Sequence, residues 1–507
     1  MTAITLTLVS HTNVGKTTLA RTLLGRDVGE VRDAPHVTTA AEAFPLVEAG
    51  GDRLLLWDTP GFGDSARLAR RLAQEGNPVG WFLTQVWDRF RDRAFYLTQL
   101  AMRNVRDEAD VVLYLVNAAE DPADAGYLSP ELAVLAWLKK PVLVLLNQTG
   151  APRTPADEAA EAARWRAALA GHAHVQGVLA LDAFTRCWVQ EFALFDAIAP
   201  LVPADKAGVY ARLAQAARTR RFAQFDAAMH AIARPVAVAA CARVVVPRAP
   251  MLKRLSAAIG IASDNARAED ERGAAVLARD LADAMRSAMD ELIELHGLSG
   301  RAAAHVEARF EKDIARDGPV DEGKAAAMGG VASGFAAGLV ADLAAGGLTF
   351  GAGALTGALL GALGGAGVAR AVNVVRGQTD DTLRFDAAFV EGLVQVVILR
   401  YLAVAHYGRG RGDYEERESP AFWREHVAAA VAARREAWRV ALAPAEGGGD
   451  PASAAARVAP LLHETVLSLL ATFYPGALHR DRDAGTGPRS DDGSRSEADA
   501  GIVRGAA

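Results

Sequence analysis

"LVSHTNVGKTTLA", residues 8–20, joins the end of an apolar run to the start of a helical pattern. Gly15, Lys16 and Thr17 fill the last three places of G-x-x-x-x-G-K-[ST], and Ser10 stands where the first glycine is expected. Such a loop works through its backbone. Successive N–H groups at a helix start point inward and cradle phosphates. Lys16 adds a point charge at the β- and γ-phosphates, and Thr17 offers its hydroxyl oxygen to Mg²⁺. A serine at position 10 costs backbone freedom but removes no phosphate-binding N–H. The stretch therefore reads as strand, phosphate loop and helix.

Working outward, further apolar runs follow: "EAFPLVEA", "RLLLWD", "DVVLYLVN", "PVLVLLN" and "VQGVLALD". Amphipathic stretches near 16–26, 128–139, 156–171 and 188–200 separate most of them. Apolar strands between helices predict an α/β fold with a mostly parallel six-stranded sheet covered on both faces. The "AGGD" turn at 49–52 predicts a hairpin and one antiparallel edge strand. "LLLWDTPGF" places Asp58-Thr59-Pro60-Gly61 at the end of the third strand. An acid there can hold Mg²⁺ through water, and the Gly61 N–H can meet a γ-phosphate. Two such elements at this spacing identify a nucleotide site.

One crossover is too long. More than forty residues separate "DTPGF" from "DEADVVLYLV", where one helix needs far fewer. We expect a helical insert at about 62–108. Trp81, Phe82, Val86, Phe90, Leu97 and Leu100 fall near one stripe. The insert serves either as flank packing or as a lever that passes on nucleotide state.

The motifs "HTNVGKTTL", "HVTTA", "DTPGFGD" and "LLNQTG" resemble the G1 to G4 boxes of the Era/TrmE-like branch of translation-factor-class GTPases. The resemblance covers residues 1–202. The whole layout resembles a bacterial group that joins an Era-like G domain, of the 50S ribosome-binding GTPase type, to a large helical domain with a glycine-rich hydrophobic centre. It implies a Ras-like G domain and a GTP/GDP switch. Lys16, Thr39 and Gly61 would carry catalysis. Thr39, or its neighbour Thr38, would close over Mg²⁺ together with Thr17 and Asp58. Asn13 matches the loop asparagine that coordinates K⁺ in some relatives. Val14, Gly15 and Thr18 would complete the phosphate cradle, and Asn147 and Gln148 would face the base. A homodimer through the G domain, and a ribosome or RNA partner, follow from family analogy alone.

Two departures matter. The fourth box should read Asn-Lys-x-Asp, its aspartate pairing with guanine. Here it reads Asn147-Gln148-Thr149-Gly150, which leaves guanine against adenine open; Asp182 in "LALDAF" stands near the expected fifth box. Phe62 occupies the place of the glutamine that orients water in Ras-type enzymes, so hydrolysis would be slow without K⁺ or dimerisation. Two other readings stay open: a nucleotide-binding scaffold with little turnover, and a P-loop ATPase. His11 reads as solvent-exposed, and His172 and His174 lack a metal-ligand pattern.

The second half, 203–476, reads as an all-α effector domain, helical by pattern over 203–324 and 378–475. Between them, 325–369 carries a single charge, Asp342, and glycines at four-residue spacing. This reads as a hydrophobic hairpin whose glycines let two backbones approach. A buried soluble hairpin, reversible membrane attachment and a permanent span all fit it. "APAEGGGDPAS" at 443–453 reads as a loop, and 477–507 as a disordered tail.

Composition bounds the rest. With 507 residues and 51% apolar content, most of the chain should fold into several cores. The net charge of −6 argues against a general nucleic-acid-binding surface. Two cysteines without ligand spacing suggest a reducing cytosol. "MTAITLTLVS" reads as a first strand, with no basic region or cleavage site. The expected location is cytoplasmic, and peripheral at the inner membrane if 325–369 attaches there.

Overall fold

The computed structural model describes residues 1–25, 42–73, 92–150, 154–184, 187–247, 264–298, 372–376, 380–407, 420–445 and 448–478. Six strands form the first sheet: β1 (Ala3–Ser10), β2 (Glu42–Ala49), β3 (Asp52–Asp58), β4 (Val111–Asn117), β5 (Val142–Asn147) and β6 (Val175–Ala180). Their order is β2-β3-β1-β4-β5-β6. All neighbours are parallel except β2 and β3, the expected hairpin. β4 and β5 are buried at almost every position, as strands covered on both faces must be. Leu8 pairs with Asp58 and Asn117 with Asn147, so the motif-bearing strand ends share one edge.

On one face lie α1 (Lys16–Leu24) and α6 (Val189–Ile198). The other face carries α2 (Ser65–Ala73), α3 (Arg93–Glu108), α4 (Leu128–Leu138) and α5 (Pro155–Leu169), packed in a core with Val112, Tyr114 and Val144. α2 and α3 are the described parts of the expected insert; residues 74–91, with Trp81, Phe82, Val86 and Phe90, lie outside the described residues. Leu100 was expected on the buried stripe and is exposed. The helix begins at Arg93, capped by the Asp92 carboxylate on the Phe95 N–H. That start sets a different phase, and Phe95, Thr98, Met102 and Val105 face inward instead.

The second half is built on α7 (Ala207–Cys241), 35 residues long with Pro235 inside it. Around it pack α8 (Asp264–Leu295), α9 (Ala387–Ala405), α10 (Ala421–Ala433), α11 (Arg435–Leu442) and α12 (Pro451–Phe473). α9 is apolar on nearly every face and buried on nearly every face, as a central helix must be. The helical reading of this half holds, with one addition. A three-stranded antiparallel sheet joins β7 (Val244–Pro247), β8 (Val372–Arg376) and β9 (Asp380–Phe385) in the order β7-β9-β8. Residues 244–247 and 380–385, expected to be helical, are strand instead: they pair with each other across the chain, and β9 also pairs with its sequence neighbour β8. α12 also begins inside the stretch read as a loop.

Among the described residues the two halves share one packed core. α7 lies over β2 and β3, on the face covered by α1 and α6. One apolar core runs from Leu6 and Leu56 through Phe192 and Phe225 to Tyr401 and Val466. Polar pairs cross the junction too. Lys206 meets the Asp110 carboxylate at 2.8 Å, Arg221 meets Glu191 at 2.6 Å, and Arg218 meets Asp196 at 2.9 Å. The glycine-spaced segment 325–369 and the tail from 479 lie outside the described residues.

Candidate functional site

The site stands where β1, β3, β5 and β6 end, the place an open α/β sheet offers a ligand. Asn13 and Gly15 take left-handed backbone conformations, with φ of 65° and 93°. These turns curl the loop over the first turn of α1. A side chain at Gly15 would be strained, and its Cβ would come within 2.9 Å of Asn147 Nδ2.

Lys16 is buried at the start of α1 and donates to the Ser10 hydroxyl at 3.1 Å. Burial pushes its ammonium below the ordinary lysine range, against the pull of Asp58 and Glu131. Ser10 therefore holds the lysine, a role the glycine usual there cannot take. The Thr17 hydroxyl donates to Asp58 Oδ2 at 2.5 Å. Two oxygen donors thus meet at the loop, the hard, all-oxygen chemistry Mg²⁺ prefers. These residues fit that ion. When bound it would supply charge neutralisation at the phosphates, with Thr17 and Asp58 holding it. Thr38 and Thr39 lie outside the described residues. Thr18 is buried behind the loop.

Gly61 lies against the loop. A Cβ there would meet Thr12 Cα at 3.1 Å and Lys16 Nζ at 3.4 Å, so any side chain would push the loop back by a few tenths of an ångström. The next N–H, of Phe62, donates to the Ser10 carbonyl at 3.0 Å. The Phe62 ring is 1% exposed and packs in the core with Val9, Leu68 and Tyr114. It anchors the start of α2, and its ring offers no polar group that could orient a water.

Asn147 is wholly buried and ties three segments together. Its Nδ2 donates to the Val14 carbonyl at 2.6 Å, and its Oδ1 accepts the Ala183 N–H at 2.7 Å. Gln148 follows with φ 59° and carries its side-chain amide close to Gly15. Each residue read from the sequence that lies among the described ones is thus drawn to this edge.

The sequence reading missed the brace beneath the loop. His11 Nδ1 bonds Glu131 Oε1 at 2.7 Å, and the Tyr114 hydroxyl donates to Glu131 Oε2 at 2.7 Å. His11 stacks on Tyr127, with centroids 4.6 Å apart. It is only about one-third exposed, so the expectation of a solvent-facing ring is corrected. The Glu131 bond raises its pKa above the ordinary range, while burial raises that of Glu131. The one local signal was an acid in the apolar helix "LSPELAVLAWL". Among the described residues no cluster of metal-ligating side chains stands apart, His172 and His174 included.

Comparison with known families agrees with this geometry. The family described as 50S ribosome-binding GTPase matches residues 5–148, and the one described as Domain of unknown function (DUF3482) matches residues 166–455, more than half of the chain. The chain belongs to the DUF3482 family. Its N-terminal region is a P-loop GTPase domain. The DUF3482 match begins inside α5, upstream of residue 202.

No curated protein matches. Among solved structures, Era of Aquifex aeolicus bound to GDP·AlF4⁻ is 18% identical, with a TM-score of 0.30, over 40% of this chain and 58% of that one. Era in complex with MgGDPNP and 16S ribosomal RNA nucleotides matches at 18% identity and a TM-score of 0.29, with the same coverage. The chain thus spans 58% of the length of these Era structures. NFeoB of S. thermophilus, bound to mGMPPNP, is 15% identical with a TM-score of 0.22, over 58% of this chain and 93% of that one.

Proposed function

We propose that the chain is a GTP-hydrolysing, Mg²⁺-dependent switch whose nucleotide state is passed to its helical half. One observation carries this reading: the β2–β3 hairpin is tied to the site at both ends and packs on α7. β2 begins just after the segment holding Thr38 and Thr39, and β3 ends at Asp58. Arg212 of α7 pairs with Asp52 at the hairpin turn, at 3.0 Å. The far half of α7 packs among α8, α9 and α12. A shift of the hairpin against α7 is therefore felt by the whole bundle.

Asn13 supports a K⁺ ion beside the phosphates, which would supply the charge that Phe62 cannot. Membrane attachment rests on 325–369. α9 and α12 are long and apolar enough to cross a bilayer, but both pack within the bundle, so they do not compete for that role. The test is amide exchange on the full chain with GDP, with a non-hydrolysable GTP analogue and without nucleotide. The expected result is altered protection across 387–405 and 451–473 on exchanging GDP for the analogue, lost in Lys16→Ala. Identical protection in every state would leave a nucleotide-binding scaffold.

A further inference from the structure

The β5 loop ends in glycine where a guanine-reading aspartate is expected, yet a buried carboxylate stands one strand away. Asp182, just after β6, is 4% exposed. Its Oδ2 accepts the Thr149 N–H and the Thr149 hydroxyl, each at 2.8 Å, and its Oδ1 accepts the Phe184 N–H at 2.8 Å. The acid thus bridges the two loops that follow β5 and β6. Its neighbour Ala183 is fixed from the other side by Asn147, the residue that also holds Val14 of the phosphate loop. The carboxylate and the phosphate cradle are therefore linked through one buried side chain.

Gly150 explains why the acid is not on the β5 loop. Its φ is +89°, a conformation that L side chains rarely adopt, so an aspartate there would be strained. Among the described residues, a Cβ at Gly150 would meet nothing within 4 Å. We infer that Asp182 is the specificity-determining carboxylate for the nucleotide base and selects guanine over adenine. The inference rests on the proposal that the chain binds GTP.

The chemistry follows from counting acceptors. A carboxylate has about four acceptor sites, and among the described residues three donors occupy three of them. Oδ1 keeps one site. The Thr149 hydroxyl, a rotor, can yield another on Oδ2 to a stronger donor. Guanine presents two donors side by side, N1–H and the 2-amino group. Adenine presents N1 as an acceptor, which a carboxylate repels. Because Asp182 is desolvated and its oxygens are held by backbone N–H groups, the pairing is charge-assisted and preorganised. A site built to bond two donors rejects a base that lacks them far more strongly than a merely apolar pocket can.

The test is a binding panel of GTP, ITP, XTP and ATP on the full chain and on Asp182→Asn, with circular dichroism to confirm folding. Wild type should bind GTP about tenfold tighter than ITP, which lacks the 2-amino group, and at least about a hundredfold tighter than ATP. Asp182→Asn should weaken GTP about tenfold or more and gain XTP, whose 2-carbonyl accepts from the new amide. Equal weakening of all four nucleotides would make Asp182 a loop cap only and overturn the inference. Wild type that binds GTP and ATP alike overturns it whether or not the variant folds. Wild type that binds no nucleotide overturns the switch reading itself, and the inference with it.

Discussion

Glu131, wholly buried on α4, holds His11 of the phosphate loop by a 2.7 Å bond across 120 residues of sequence. A carboxylate in that position is costly unless its partners are in place. Glu131→Ala should leave the His11 ring and the Tyr114 hydroxyl without their acceptor. The expected loss is about 2 kcal/mol of stability in urea unfolding, tempered by the partial exposure of His11. GTP affinity should fall as well, because the first half of the loop loses its brace. A variant as stable as wild type would show that the bond has no structural weight.

Lys16→Ala should fold but lose its response to nucleotide. The lysine is buried, and burial depresses its pKa, so its removal costs the apo fold little. GTP should raise the melting temperature of wild type and leave that of the variant unmoved. A variant that retains the shift would place the phosphates elsewhere.

Hydrolysis should be slow and faster in K⁺ than in Na⁺. Phe62 is locked in the core and orients no water, while Asn13 stands exposed at a left-handed turn of the loop. A monovalent cation can neutralise charge that develops at the phosphates. Turnover measured in the two salts decides the matter, with Asn13→Ala expected to erase the difference. Equal wild-type rates would remove the cation from the mechanism.

The helical half should weaken as the solution is acidified from pH 6.5 to 4. His296 lies against Tyr401, with centroids 5.8 Å apart, and places Nδ1 on the Leu292 carbonyl at 2.9 Å. Burial lowers its pKa to about 4, the Leu292 bond opposing and the nearby Arg221 charge assisting. Its folded pKa lies below its unfolded one, so the unfolded chain takes up the proton first. Its contribution is intact above pH 6.5 and lost on the way to pH 4, by about 2–3 kcal/mol. His296→Gln should flatten stability over that window, and an unchanged slope would assign the acid sensitivity to other groups.

The segment 325–369 should be the membrane-seeking part, if the chain meets a bilayer. Lys324, Arg370 and Arg376 flank its near-chargeless run. Flotation with anionic vesicles, with GTP analogue and with GDP, should bring down the membrane reading if wild type never floats. The same holds if Leu359→Asp and Leu363→Asp float as well as wild type does.

The G domain was legible because its strands are continuous apolar runs and its motifs sit at strand ends, where sequence order and place in the fold coincide. Asp58 and Gly61 were found by that rule, and Asn147 by the resemblance of "LLNQTG" to the fourth box. What escaped was whatever depends on a distant partner. Glu131 betrays nothing of His11, and Phe62 could be read as missing a function but not as filling a core. β7, β8 and β9 are short, and the first is paired across more than 130 residues, so no local period marks them. Leu100 was misplaced because one stripe was drawn through 81–100, and the cap at Asp92 resets the phase.

Trp188, which donates to the Tyr401 hydroxyl at 2.9 Å, lies 213 residues before it. A ribosome adding about 5–20 residues per second delivers Tyr401 about 10–40 s after Trp188. α7 follows early in that interval and covers Phe192, but Trp188 waits for its partner on α9 until the end of it. Birth of this protein therefore includes a period when a finished-looking domain carries an open apolar face. Chaperones and neighbouring chains compete for that face until the last helices emerge.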